Sequence, residues 1–82
     1  MADIHYSKHA RDVLGERNIL EEWVTRAVSA PERTESPPDG TTHYIKAIPE
    51  HGGRFLRVVV NPTATPMRVI TVFFDRRLGR RI

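Results

Sequence analysis

Arg54-Phe55-Leu56-Arg57-Val58-Val59-Val60 decides how this 82-residue chain is read. The run is β-branched and aromatic with no Gly or Pro inside it, a composition that suits a pleated, half-buried surface. A second such run follows, Arg68-Val69-Ile70-Thr71-Val72-Phe73-Phe74-Asp75. Residues 61–67 between them hold Pro62 and Pro66, which end strands and favour turns. The two runs are therefore expected to be antiparallel neighbours in one sheet. Side chains alternate faces along a strand. One face then carries Leu56, Val58, Val60, Ile70, Val72 and Phe74, and calls for a cover of helices. The other carries Phe55, Arg57, Val59, Val69, Thr71, Phe73 and Asp75, is mixed in character, and is where a concave functional surface is expected. A plainer reading lays the Arg57 stem over Phe55 and Phe73 with its charge in water.

Working outward, His51-Gly52-Gly53 supplies a tight turn into the first run, and residues 42–48, Thr-His-Tyr-Ile-Lys-Ala-Ile, alternate as a third strand. Pro37-Pro38-Asp39-Gly40 is a strong breaker ahead of it. Short strands are possible at 3–6 and 32–36. Ser7 is a good N-cap for a helix over residues 8–17. Ala10, Val13, Leu14 and Arg17 form a narrow stripe on it, and His9, Val13 and Arg17, spaced by four, lie along one edge. Gly15 weakens this helix by about 1 kcal/mol relative to Ala. Asn18-Ile19-Leu20-Glu21 has the form of a capping box, which predicts a second helix over residues 19–29. Ile19 or Leu20, Trp23, Val24, Ala27 and Val28 share its apolar face, Glu22 and Arg26 make an i,i+4 pair, and Pro31 stops it. Trp23 is expected to be a core anchor. The fold class is α+β: two N-terminal helices packed on one face of a three- to four-stranded antiparallel sheet.

Eighty-two residues make one domain, 1–82, with a basic tail at about 76–82. There are no cysteines, which excludes disulfides, thiolate catalysis and cysteine-ligated zinc. The polar N-terminus and the short apolar runs give no signal peptide and no membrane span, so a cytoplasmic protein is expected. Charge is uneven. Residues 1–53 hold six Lys/Arg and nine Asp/Glu, net −3, whereas residues 54–82 hold seven Arg and one Asp, net +6. Arginine presents a planar fork suited to phosphate. An arginine-rich end on a small domain points to nucleic acid or an acidic protein. The competing reading is a solvated tail.

His5 and His9 are four apart, but the helix start at Ser7 separates them and no acidic third ligand is suitably spaced, so no metal site and no cofactor are expected. There is no phosphate-binding glycine loop. The chemistry that fits this composition is metal-independent cleavage of a phosphodiester. That reaction needs a base for the 2′-hydroxyl, a cation for the phosphate and an acid for the leaving oxygen. His43, Lys46, Arg54, Arg57 and the terminal arginines could supply parts of that set.

Two pieces of the chain together resemble a known family. They are Tyr6-Ser7-Lys8-His9-Ala10 with Glu16-Arg17-Asn18-Ile19, and Leu56-Arg57-Val58-Val59-Val60 with Val69-Ile70-Thr71-Val72. They resemble a family of small bacterial domains of unknown function grouped with the RelE/ParE-type toxins and their BrnT-like relatives. The resemblance covers roughly residues 4–75. It implies a RelE-like fold and a toxin of a toxin–antitoxin system, either a metal-independent mRNA endoribonuclease or a ParE-like gyrase inhibitor. His9 and Arg17 match the first motif, where they tie the first helix to the sheet, and Arg57 and Thr71 match the second. The expected catalytic set is Arg57, Lys46 and His43, with Arg54, Arg68, Arg76, Arg77, Arg80 and Arg81 binding RNA or a partner. The alternative is a non-catalytic RelE-like module holding RNA or an acidic protein on its basic face. Expected partners are an acidic antitoxin and RNA or the ribosome. A homodimer through a sheet edge, the strand at 42–48, is a third possibility.

Overall fold

In a computed structural model, residues 4–64 and 66–79 are described. Their order is β1 (Ile4–Tyr6), α1 (Lys8–Arg17), α2 (Glu21–Ser29), β2 (Arg33–Glu35), β3 (Thr42–Ile48), a 3₁₀ turn (Pro49–His51), β4 (Arg54–Asn61), β5 (Met67–Phe74) and a second 3₁₀ turn (Arg76–Leu78). The strands form one five-stranded mixed sheet in the order β1-β5-β4-β3-β2. The expected α+β class stands, but the sheet is larger than expected and not wholly antiparallel, because β1 joins β5 in parallel, Ile4 opposite Met67 and Tyr6 opposite Val69. β2 pairs with residues 43–45 of β3, so the strand at 42–48 is interior and not the free edge expected for a dimer.

Ser7 explains why β1 can sit there. Its backbone N–H donates to Val69 O at 3.0 Å and its hydroxyl to Ile70 O at 2.9 Å. The same oxygen accepts from Ala10 N at 3.0 Å, so one side chain caps α1 and fastens it to β5. Those carbonyls belong to an irregular stretch. Val59 faces Thr71 but Val60 faces Val69, leaving Ile70 without a cross-strand partner. An extra residue in one strand reverses the alternation beyond it. Val69, expected on the mixed face, is therefore fully buried in the core, while Ile70 is only half-buried.

Both helices lie over one face of the sheet. The core joins Ala10, Leu14, Ile19, Trp23, Val24 and Ala27 to Ile48, Leu56, Val58, Val60, Val69 and Val72. Asn18 does not cap the second helix. It ends the first one in the left-handed region, φ 54°, a conformation Asn tolerates better than most side chains. α2 then starts two residues later than expected, with Leu20 at its N-cap and no side-chain cap bond. No helix among the described residues is long and apolar enough to cross a membrane.

Candidate functional site

The expected catalytic residues fall on opposite faces of the sheet. In β3, Lys46 pairs with Leu56 on the helix-covered face, whereas His43 and Ile45 pair with Val59 and Arg57 on the other. Lys46 Nζ donates to Ala30 O at 3.0 Å, placing a cation at the C-terminal end of α2. It is not brought to Arg57.

Arg57 and His43 do come together, in a network whose groups partner one another. Arg57 is only 5% exposed and Asp75 4%. Arg57 Nε donates to Asp75 Oδ2 at 2.9 Å, and Nη1 donates to Glu35 Oε1 at 3.0 Å. Nη1 also lies 2.9 Å from His43 Nδ1. Arginine can only donate, so that nitrogen must accept. In the neutral ring the proton then sits on Nε2, directed at Thr41 Oγ1 3.1 Å away, and the Thr41 hydroxyl donates to Asp39 Oδ1 at 2.6 Å. Both ring nitrogens of His43 are thus engaged. Arg77 adds a two-pronged contact to Asp75, Nε to Oδ1 at 3.1 Å and Nη2 to Oδ2 at 2.9 Å. Hydrogen bonds from the Arg77 side chain above all, and from Arg77 N and Arg57, hold the Asp75 carboxyl well below the usual carboxylate range against the opposing effect of burial. The hydrogen bond from Arg57 likewise lowers Glu35.

The cations without internal partners are elsewhere. A groove of about 550 Å³ runs between α1 and the C-terminal end of β5. The edge His9–Val13–Arg17 of α1 forms one wall, and Thr71, Phe73, Phe74 and Arg76 form the other, with His51 and Arg54 at the end. His9 Nε2 lies 3.2 Å from Thr71 Oγ1 and ties helix to strand. Arg17, the other residue of that motif, is exposed on the groove wall. Glu16 is the one carboxylate on the groove lining among the described residues. A smaller cleft of about 410 Å³, lined by Arg54, Phe74, Asp75, Arg76 and Gly79, shares three of those residues. The side chains of Arg17, Arg54 and Arg76 make no ion pair or hydrogen bond among the described residues. Arg68 is exposed at the far end of β5, beside His5 and Asn61. Arg80 and Arg81 lie outside the described residues. No three His, Asp or Glu side chains among the described residues are grouped to hold a metal.

His51 was not singled out as a site residue by its sequence position. Its ring stacks on Phe74 at 4.1 Å between centroids and 15° between planes, with Trp23 5.9 Å from His51 and 6.1 Å from Phe74. The Gly-Gly pair after it was the available signal. Gly52 and Gly53, at φ 68° and 74°, turn the chain so that the residue before them is displayed at the strand end.

A match to the family described as "Domain of unknown function (DUF4258)" spans residues 6–74. The chain belongs to the DUF4258 family. No curated protein and no solved structure matches it. The matched span contains every groove residue of the DUF4258 domain except Arg76.

Proposed function

We propose that this DUF4258 domain is a toxin-like, RelE-type module that holds the phosphodiester backbone of RNA in the groove between α1 and β5. One observation carries the reading: Arg17, Arg54 and Arg76 line a single groove with no internal partner, while Arg57 is neutralised across the sheet. An arginine without a carboxylate partner keeps its fork for phosphate oxygens. An acidic antitoxin would compete for the same three side chains.

Metal-independent endoribonuclease activity is the second reading. It is favoured by His9 and His51 lining the same groove, where one could act as base and the other as acid. His43, with both ring nitrogens engaged, is the weaker candidate for that role.

The test is anisotropy of a labelled single-stranded RNA oligomer across salt. About three phosphate contacts correspond to a log–log slope near −2, or roughly a fifteen- to twentyfold loss of affinity between 50 and 200 mM salt. Arg54→Ala with Arg76→Ala should flatten the slope and leave the fold intact. Salt-independent binding, or binding unmoved by the double substitution, would overturn the assignment. Gel analysis of the same oligomer in EDTA separates the two readings: intact RNA supports a binding module, and cleavage lost in His9→Ala or His51→Ala supports the nuclease.

A further inference from the structure

We infer that the His51–Phe74 stack is a nucleobase platform, with the outward face of the His51 ring taking one base of a single-stranded RNA and Arg54 and Arg76 on the flanking phosphates. The inference rests on the RNA reading of the groove and specifies which part of RNA it grips.

The three ring separations locate the free face. If Trp23 capped the far side of His51, it would stand much further from Phe74 than from His51. It is instead about equally far from both, 6.1 and 5.9 Å, and tilted 71° and 57° to them. Trp23 therefore lies beside the stack, and Phe74 is the one aromatic ring among the described residues that stacks on a face of His51, at 4.1 Å. His51 is exposed and lines the groove, while Phe74 is half-buried against the core. An exposed aromatic ring backed by a second ring suits stacking by a base, because every base has a π-face.

The platform is held in place before any ligand arrives. Gly52 N donates to Pro49 O at 3.1 Å and Gly53 N to Ile48 O at 3.0 Å, closing the turn that carries His51. Glu50, its neighbour, accepts two bonds from Arg26, at 2.9 and 2.8 Å, which pin the turn to α2. Pre-ordering of this kind removes part of the entropy lost on binding. Arg54 and Arg76 border the groove and the adjoining cleft together with Phe74, so both residues lie on the lining that the stack shares.

The experiment compares hexauridylate with an abasic hexamer of equal charge, both titrated against the 82-residue protein. Trp23, the single tryptophan, reports on the stack from 5.9 Å away. Wild type should bind hexauridylate about tenfold more tightly than the abasic strand, the scale of one stacked base, with a change in Trp23 emission for hexauridylate alone. His51→Ala should abolish that ratio and keep the abasic affinity, whereas His51→Phe should preserve it. Arg54→Ala with Arg76→Ala should weaken both strands equally. Equal binding of the two strands by wild type, or a ratio that survives in His51→Ala, overturns the platform and leaves the groove reading standing. If neither strand binds, the groove reading falls and the platform with it.

Discussion

Arg57→Ala tests whether the most conspicuous cation of the strand pair is structural. The substitution removes the bonds to Asp75 and Glu35 and the contact to His43. It leaves Asp75, whose side chain is 3% exposed, with only Arg77 to balance it. Removing one partner of a buried ion pair costs about 3–5 kcal/mol. At roughly 0.05–0.15 kcal/mol per residue, an 82-residue domain has about 4–12 kcal/mol in all. The variant should therefore lose a large share of its stability. A shift of about 4–8 °C per kcal/mol places its melting temperature some 12–40 °C lower. Thermal and urea unfolding followed by far-UV circular dichroism measure this directly. Arg57→Met with Asp75→Asn, which removes both charges and keeps an acceptor at position 75, should recover part of the loss. At a temperature where Arg57→Ala is still folded, its binding in the groove should match wild type, since Arg57 itself does not line the groove. A variant that melts within about 5 °C of wild type yet loses binding would refute the structural role and return Arg57 to the functional site.

The irregularity in β5 predicts that Val69→Ala costs about 2 kcal/mol and Ile70→Ala under about 1, although isoleucine is the larger side chain. Urea midpoints in the reverse order would show that the register has been misread. Glu50 has its pKa lowered to about 2, chiefly by the hydrogen bond from Arg26. Its contribution to stability is full above the unfolded carboxylate value of about 4.3 and is lost as pH falls through 2. Carbon-13 titration of its carboxyl should show that depressed value, and Arg26→Ala should raise it most of the way toward the free carboxylate value, the bond from the Glu50 backbone N–H remaining.

Much of the fold was legible because local chemistry decided it. Ser7 as cap, Trp23 as anchor, the Gly-Gly turn and the three longer strands all depend on residues within a few positions of one another. What was not legible depended on partners distant in the chain. Nothing near Ile70 announces that it lacks a cross-strand partner; that is set by the register with Val59 and Val60 of β4, and Ser7, 63 residues away, takes the Ile70 carbonyl. The burial of Arg57 needs Glu35, Asp75 and His43 from three other segments, so the single strand could present it only as a charge on a mixed face. The separation of Lys46 from His43 was available in the two-residue period of β3, since residues three apart point opposite ways. The spacing of His9, Val13 and Arg17 marked one wall of the groove; the opposing wall became visible only once β5 was laid beside α1.

The attachment of Ser7 to β5 also bears on the order in which the protein can be completed during synthesis. β1 has its partner strand at Met67–Val69, and Ser7 anchors α1 to carbonyls 69 and 70. β1 and α1 therefore have no seat until β5 has been made. β3, β4 and β5 are linked by short connections and can pair as a meander as they appear. The N-terminal strand and α1 dock last, onto an edge that must stay open for them. Until then the apolar surface of β5 is uncovered, and that interval is when a nascent chain is most exposed to mispairing with another copy.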